Sequence, residues 1–198
     1  MFFHGIIVRM DKPLNLIILG PQGSGKGTQA QMLAKRFNLA FLGSGDLLRE
    51  IAKTDTLLGR EVHQTINVEG RHMRSEVISQ VIKEKLHALP RDQGVILESY
   101  PRNLEQYEEF KKFWPETERG DYLILYIHLS EEESIKRMML RKRLDDTDDT
   151  IHKRLELFNS LTKPMIEEMD KQNRVIRIDG APSIEQVNEE ILSKLNEK

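Results

Sequence analysis

Short apolar runs at 14–19, 39–42, 94–98, 122–129 and 174–178 alternate with longer stretches in which apolar residues return every three or four positions. The first four runs are almost continuously apolar, as strands covered on both faces are, and the last alternates like an edge strand. Helical spacing follows each run. Ala30, Leu33, Ala34 and Phe37 follow the first, and Val77, Val81, Ile82, Leu86 and Leu89 precede a stop at Pro90. Leu104, Tyr107 and Phe110 mark a helix over 103–113, and Ile135, Met138 and Met139 mark one opened by a capping box, Ser130-Glu131-Glu132-Glu133. A long helix is predicted over 150–171, with Ile151, Leu155, Phe158, Met165 and Met169 inward and a kink at Pro164. Ser183 and Gln186 cap a last helix with Ile184, Val187, Ile191 and Leu195 inward. Between 54 and 75 the pattern is polar and broken by Gly59 and Gly70, with Val62, Ile66 and Val68 marking a short helical excursion. Strand–helix alternation of this kind predicts one α/β domain with a parallel sheet and helices on both faces.

The junction after the first strand carries the clearest chemistry. Gly20-Pro21-Gln22-Gly23-Ser24-Gly25-Lys26-Gly27-Thr28 joins a buried strand to a helix, the setting that a phosphate-binding loop requires. Its glycines let backbone N–H groups converge on a phosphate, and the helix N-terminus adds partial positive charge. Lys26 brings a full charge, and Thr28 offers a hydroxyl to phosphates or a bound Mg²⁺. Gly27 stands where the general motif has Ser or Thr.

Other stretches are less specific. Ser44 or Asp46 is a candidate helix cap in Gly43-Ser44-Gly45-Asp46, and Arg49 reads as a solvated helix residue. Glu98 ends the third strand, where α/β sheets bind ligands and where a carboxylate suits the water shell of magnesium. His128 reads as a structural histidine rather than a ligand. Arg141-Lys142-Arg143-Leu144-Asp145-Asp146-Thr147-Asp148-Asp149 is either a solvated charged loop or a lid whose arginines meet phosphates.

Bulk composition narrows the classes. The 198 residues are 38% hydrophobic and 31% charged, with a formal net charge of −2, which disfavours a nucleic-acid binder. With no cysteine, disulfides, thiolate metal sites and cysteine nucleophiles are excluded. Residues 1–10 are apolar but too short to span a bilayer, and they lack the charge and cleavage pattern of a signal peptide. They are expected to pack on the core or fray, in a soluble cytoplasmic protein.

The glycine loop, Gly45-Asp46-Leu47-Leu48-Arg49, Pro101-Arg102-x-x-x-Gln106 and Arg141-x-Arg143-x-Asp145-Asp146, in this order, resemble the adenylate kinase family. The likeness is to its short-lid members and covers nearly the whole chain. It implies a P-loop NTPase fold, three-layer α/β/α with a five-stranded parallel sheet. It also implies a small helical insert near 44–73 that binds the monophosphate and a short lid near 141–149. By the same resemblance the ATP phosphates fall to Gly23, Ser24, Gly25, Lys26, Gly27 and Thr28, and the ATP adenine to Gly180. AMP falls to Ser44, Arg49, Met73, Ser99, Arg102 and Gln106. Arg141, Arg143 and Arg154, with Lys26 and Arg102, surround the transferring phosphoryl group; Asp145 and Asp146 organise the lid; Glu98 holds Mg²⁺ through water. Where the family has Asp-Gly, this chain has Glu98-Ser99, which moves the carboxylate out by one methylene and adds a side chain beside the base pocket. The usual Leu-Val-Pro-Asp is His72-Met73-Arg74-Ser75. The expected activity is Mg-dependent phosphoryl transfer from ATP to AMP by a monomer that binds neither nucleic acid nor membrane. The alternatives are a kinase for UMP or CMP, or a nucleotide-binding module without turnover.

Overall fold

The computed structural model describes residues 13–141 and 147–196. Five strands, β1 (Asn15–Leu19), β2 (Ala40–Gly43), β3 (Val95–Glu98), β4 (Leu123–His128) and β5 (Val175–Asp179), form one sheet in the order β2-β3-β1-β4-β5. Every pairing is parallel, with Ile17 beside Leu97 on one side and Ile124 on the other. β1 is central and fully buried, and β5 lies at an edge, where its outer positions alternate with buried Ile176 and Ile178.

Alternate side chains of each strand point to opposite faces, and so two cores form. On one face, Leu16 and Ile18 pack with Ala30 and Leu33 of α1 (Lys26–Phe37) and Val187 and Ile191 of α9 (Ile184–Asn196). Gln29 fastens these two helices: its amide donates to the Ile184 carbonyl (2.8 Å) and its oxygen accepts from Asn188 (2.9 Å). The other face carries Ile17, Leu19 and Leu97 against α2 (Ser44–Ala52), α4 (Ser75–His87), α5 (Leu104–Phe113) and α8 (Lys163–Asp170). This second core is aromatic. Phe110 lies 5.0–6.2 Å, centre to centre, from the rings of Tyr100, Phe113, Trp114 and Tyr122. Beneath it, buried Arg119 gathers the carbonyls of Leu86, Leu89 and Gln93, joining the end of α4 to the approach to β3.

Several sequence-based expectations need correction. The helix predicted over 150–171 is α7 (Asp148–Leu157), a π-helical turn (Phe158–Thr162) and α8. The five predicted inward residues are all buried, and Pro164 sits where the π-helical turn passes into α8. Leu104 and Ile184 are exposed because each opens its helix, before the apolar face meets the sheet. Met139 is exposed near the end of α6 (Glu131–Arg141), and Val68 and Phe37 are also exposed. In α4 the buried stripe is Ile78, Ile82 and Leu86, with Val77 and Val81 at its margin. Ser130 caps α6 through the Glu133 N–H (3.2 Å), but the Glu133 carboxylate turns to Arg137 instead of completing the box. The Ser183–Gln186 box is complete.

The excursion after β2 consists of α2, α3 (Leu57–Val62) and a π-helical turn (His63–Val68). It reaches across to α7, where Lys153 Nζ donates to the Glu69 carbonyl. It is not separate from the core: Val62 and Met73 are buried in the aromatic face. Among the described residues, no helix is long and apolar enough to cross a membrane.

Candidate active site

A cleft of about 460 Å³ opens beyond the carboxyl ends of β1 and β3, beside the point where the chain passes from one side of β1 to the other. Its floor is the glycine loop. The N-cap of α1 is Gly25, which carries no side-chain cap, and the first turn holds no acidic residue. The N-terminal N–H groups are therefore left to whatever occupies the cleft, and the helix dipole favours an anion. Gly23 shows why the loop needs glycine: its φ is 81°, and a Cβ would meet the Ser134 carbonyl oxygen at 2.9 Å. Lys26 Nζ donates to the Pro21 carbonyl (3.2 Å) and lies 3.8 Å from Glu98 Oε1, with both side chains largely buried.

Gly25, Gly27, Thr28, Lys26 and Gly23 line the cleft, as do Glu98, Ser99, Arg49, Arg102, Arg141 and Arg154. With Arg71 and Arg137, six guanidinium groups thus share the cleft with Lys26, Asp46 and Glu98. Their fields are felt within the cleft. Arg102 is pushed below the ordinary arginine range by burial first, with Arg154 and Arg49 adding to the effect and Glu98 opposing it.

Five predicted site residues do not line the cleft. Ser24 is buried and does not line the cleft. Ser44 uses its hydroxyl inside the protein, donating to the Ser99 carbonyl (2.7 Å) and accepting from Arg102 Nη2 (3.2 Å). Gln106 accepts from the Arg102 backbone N–H (2.8 Å) while its own N–H is capped by Asn103. Met73 is core. Gly180 lies under the loop, where a Cβ would approach the His128 and Ser24 carbonyl oxygens to 2.8 and 3.2 Å. Neither Ser44 nor Asp46 caps α2: its N-cap is Gly43, and Asp46 pairs with Arg49 (2.5 Å). His128 is exposed at the end of β4. Arg143, Asp145 and Asp146, most of the 141–149 lid and residues 1–12 lie outside the described residues.

Among the ionisable residues that line the cleft, Arg71, Arg137 and His72 have no role in the sequence reading. Arg137 donates to the Gly180 and Ala181 carbonyls (2.8 and 2.9 Å) and pairs with Glu133. Its only signal was the four-residue spacing to Arg141. His72 lines the cleft with its Nδ1 enclosed and unpartnered. Burial, and then the Arg102 charge, push its pKa down to about 3, so it is neutral at physiological pH.

Among the described residues, no group of three or more His, Asp or Glu side chains could hold a metal ion. Glu98 and the exposed Thr28 hydroxyl suit a cation carried chiefly by phosphates and water.

A parallel sheet ending in such a loop, faced by guanidinium groups rather than a nucleophile and base, is the framework of a P-loop nucleotide-binding kinase. The sequence model of a family described as adenylate kinase matches residues 18–174. The chain is 31% identical to adenylate kinase 1 of Nostoc sp. over 91% of this chain and 97% of that protein. It is 31% identical to an adenylate kinase of Corynebacterium urealyticum, with 92% and 99% covered, and 30% identical to one of Methanothrix thermoacetophila, again with 92% and 99% covered. The chain belongs to the adenylate kinase family.

Proposed function

We propose that this protein transfers the γ-phosphoryl group of ATP to AMP, reversibly, giving two molecules of ADP. One observation carries the reading: Lys26 and the α1 N-terminus share a cleft with Arg49, Arg102, Arg141 and Arg154. Phosphoryl transfer calls for position and charge neutralisation more than for a protein nucleophile.

In this reading the loop and Lys26 hold the donor phosphates. Arg49 and Arg102 hold the acceptor phosphate, with Arg102 fixed through Ser99 and Ser44. Arg141 and Arg154 flank the phosphoryl group in transit, joined by Arg143, and Asp145 and Asp146 organise the lid. An oxygen of the acceptor phosphate attacks, the bond from the γ-phosphorus to the bridging oxygen of ADP breaks, and no protein base is needed. Neutral His72 adds no further charge to the acceptor side. Glu98, through water, and the Thr28 hydroxyl would hold magnesium, which would supply charge neutralisation on the phosphates. Arg137 secures the Gly180–Ala181 segment assigned to the ATP adenine. Glycine at 180 leaves only backbone groups there.

The test is ADP formation by the purified monomer with ATP, Mg²⁺ and each of AMP, GMP, UMP and CMP. Turnover confined to AMP is expected. Preference for UMP or CMP would keep the mechanism and overturn the acceptor. ATP binding without turnover on any acceptor would leave a nucleotide-binding module.

A further inference from the structure

Ser99 has a backbone φ of 60° and is buried. This left-handed region disfavours every residue with a Cβ and suits glycine. The main-chain duties of the position would survive a glycine: its carbonyl accepts from Ser44 Oγ (2.7 Å) and Arg102 Nε (2.8 Å), and its N–H donates to the Ile18 carbonyl (3.1 Å). The side chain has a separate task. Its hydroxyl donates to Glu98 Oε1 at 2.7 Å, the oxygen that lies 3.8 Å from Lys26 Nζ.

We propose that Ser99 is a positioning residue, whose hydroxyl aims the Glu98 carboxylate at Lys26 and the phosphate-binding loop. Glutamate carries one more rotatable bond than aspartate, so its carboxylate must be held if it is to meet phosphate-bound magnesium at a fixed place. A hydroxyl on the next residue does this from a rigid turn at the end of β3. It also faces the oxygen nearest Lys26, so it holds the carboxylate on the loop side of the cleft. Glu98 and Ser99 are then one device: the longer acid needs the hydroxyl, and the hydroxyl justifies a side chain where glycine would be relaxed. This revises the expectation that Ser99 crowds the acceptor base. The inference rests on the kinase reading above for its effect on turnover, and on the hydrogen bond alone for its effect on stability and binding.

The experiment compares Ser99→Ala and Ser99→Gly with the wild type, each also in a Glu98→Asp background. Three readouts are taken: turnover against Mg²⁺ concentration, ADP affinity by calorimetry with and without Mg²⁺, and the thermal midpoint. Loss of a hydrogen bond to a carboxylate should lower kcat by about tenfold in both variants. The KM for AMP should stay within about twofold, because this bond does not touch the acceptor. The gain in ADP affinity on adding Mg²⁺ should shrink by several-fold. Ser99→Gly should lose activity as Ser99→Ala does, yet melt at a higher temperature than Ser99→Ala, a divergence that a merely structural serine would not produce. In the Glu98→Asp background, replacing Ser99 should have little further effect on any readout.

The proposal is overturned if the Mg²⁺ enhancement of ADP binding is unchanged in both variants. It is overturned equally if only the KM for AMP moves, or if the serine effect persists undiminished with aspartate at 98. If the wild type turns over no acceptor, the kinase reading fails, while ADP calorimetry and the thermal cycle still decide whether Ser99 and Glu98 are coupled.

Discussion

From Gly20 to Thr28 the cleft is walled by backbone, whereas across from it Ser44, Ser99, Arg102 and Gln106 are side chains and carbonyls already bonded to one another. The loop presents N–H groups whose direction is set by φ and ψ, with Lys26 as its one charged side chain. The facing side holds its arginine by a mesh of hydrogen bonds drawn from α2, the turn after β3 and α5. A ligand on the loop meets a fixed dipole. A ligand on the other side meets groups whose aim depends on several neighbours. Damage should therefore be concentrated in one residue on the loop side and spread over several on the other.

Lys26→Met should have the largest effect, cutting kcat by about a thousandfold, as loss of a preorganised charge does, with the thermal midpoint little changed. Near-normal turnover in a folded variant would remove Lys26 from the mechanism. Arg102→Lys keeps the charge but cannot reproduce the planar fork that spans the Ser99 carbonyl and Ser44 hydroxyl. A loss of about a hundredfold in kcat/KM for AMP, with the KM for ATP nearly constant, is expected from steady-state kinetics. Equal losses for both substrates would erase the distinction between the two sides.

Gln106→Ala leaves the Arg102 N–H without its acceptor, and denaturant unfolding should show a loss of about 1–3 kcal/mol. An unchanged unfolding midpoint would mean that the mesh is looser than its bonds imply. The last effect concerns acid, and the pH dependence vanishes at neutral pH. His72 holds a pKa of about 3 against an ordinary 6.5, so between those values the unfolded chain binds a proton that the folded chain refuses. Its contribution to stability is complete above pH 6.5 and is lost as the pH falls towards 3, with a slope of at most about 1.4 kcal/mol per unit. His72→Leu should flatten the stability curve between pH 6.5 and 5. Parallel curves for variant and wild type would place His72 in water instead.

The same contrast explains what could be read from the chain. A backbone-built loop must be written in glycine and lysine, so Gly23, Gly25 and Lys26 could be placed before any coordinates. The strands were equally plain, because β1 and β4 are buried on both faces and admit little but apolar side chains. A side-chain site gives residue types without direction. Ser44 and Gln106 suit a bound base and an internal hydrogen bond equally well, and only packing decides. Periodicity failed where a helix begins, at Leu104 and Ile184. It also gave no hint of the π-helical turns, which leave the spacing of buried residues such as Leu155, Phe158 and Met165 intact.

Lys153 and Glu69 join segments that border the cleft from different directions. The bond ties the end of the insert to α7, the helix that also carries Arg154. A shift of the insert must carry α7 with it or break the bond. The two borders consequently share a free energy. By reciprocity, whatever an acceptor does to the helix through this tie, a ligand on the helix side does to the acceptor in equal measure.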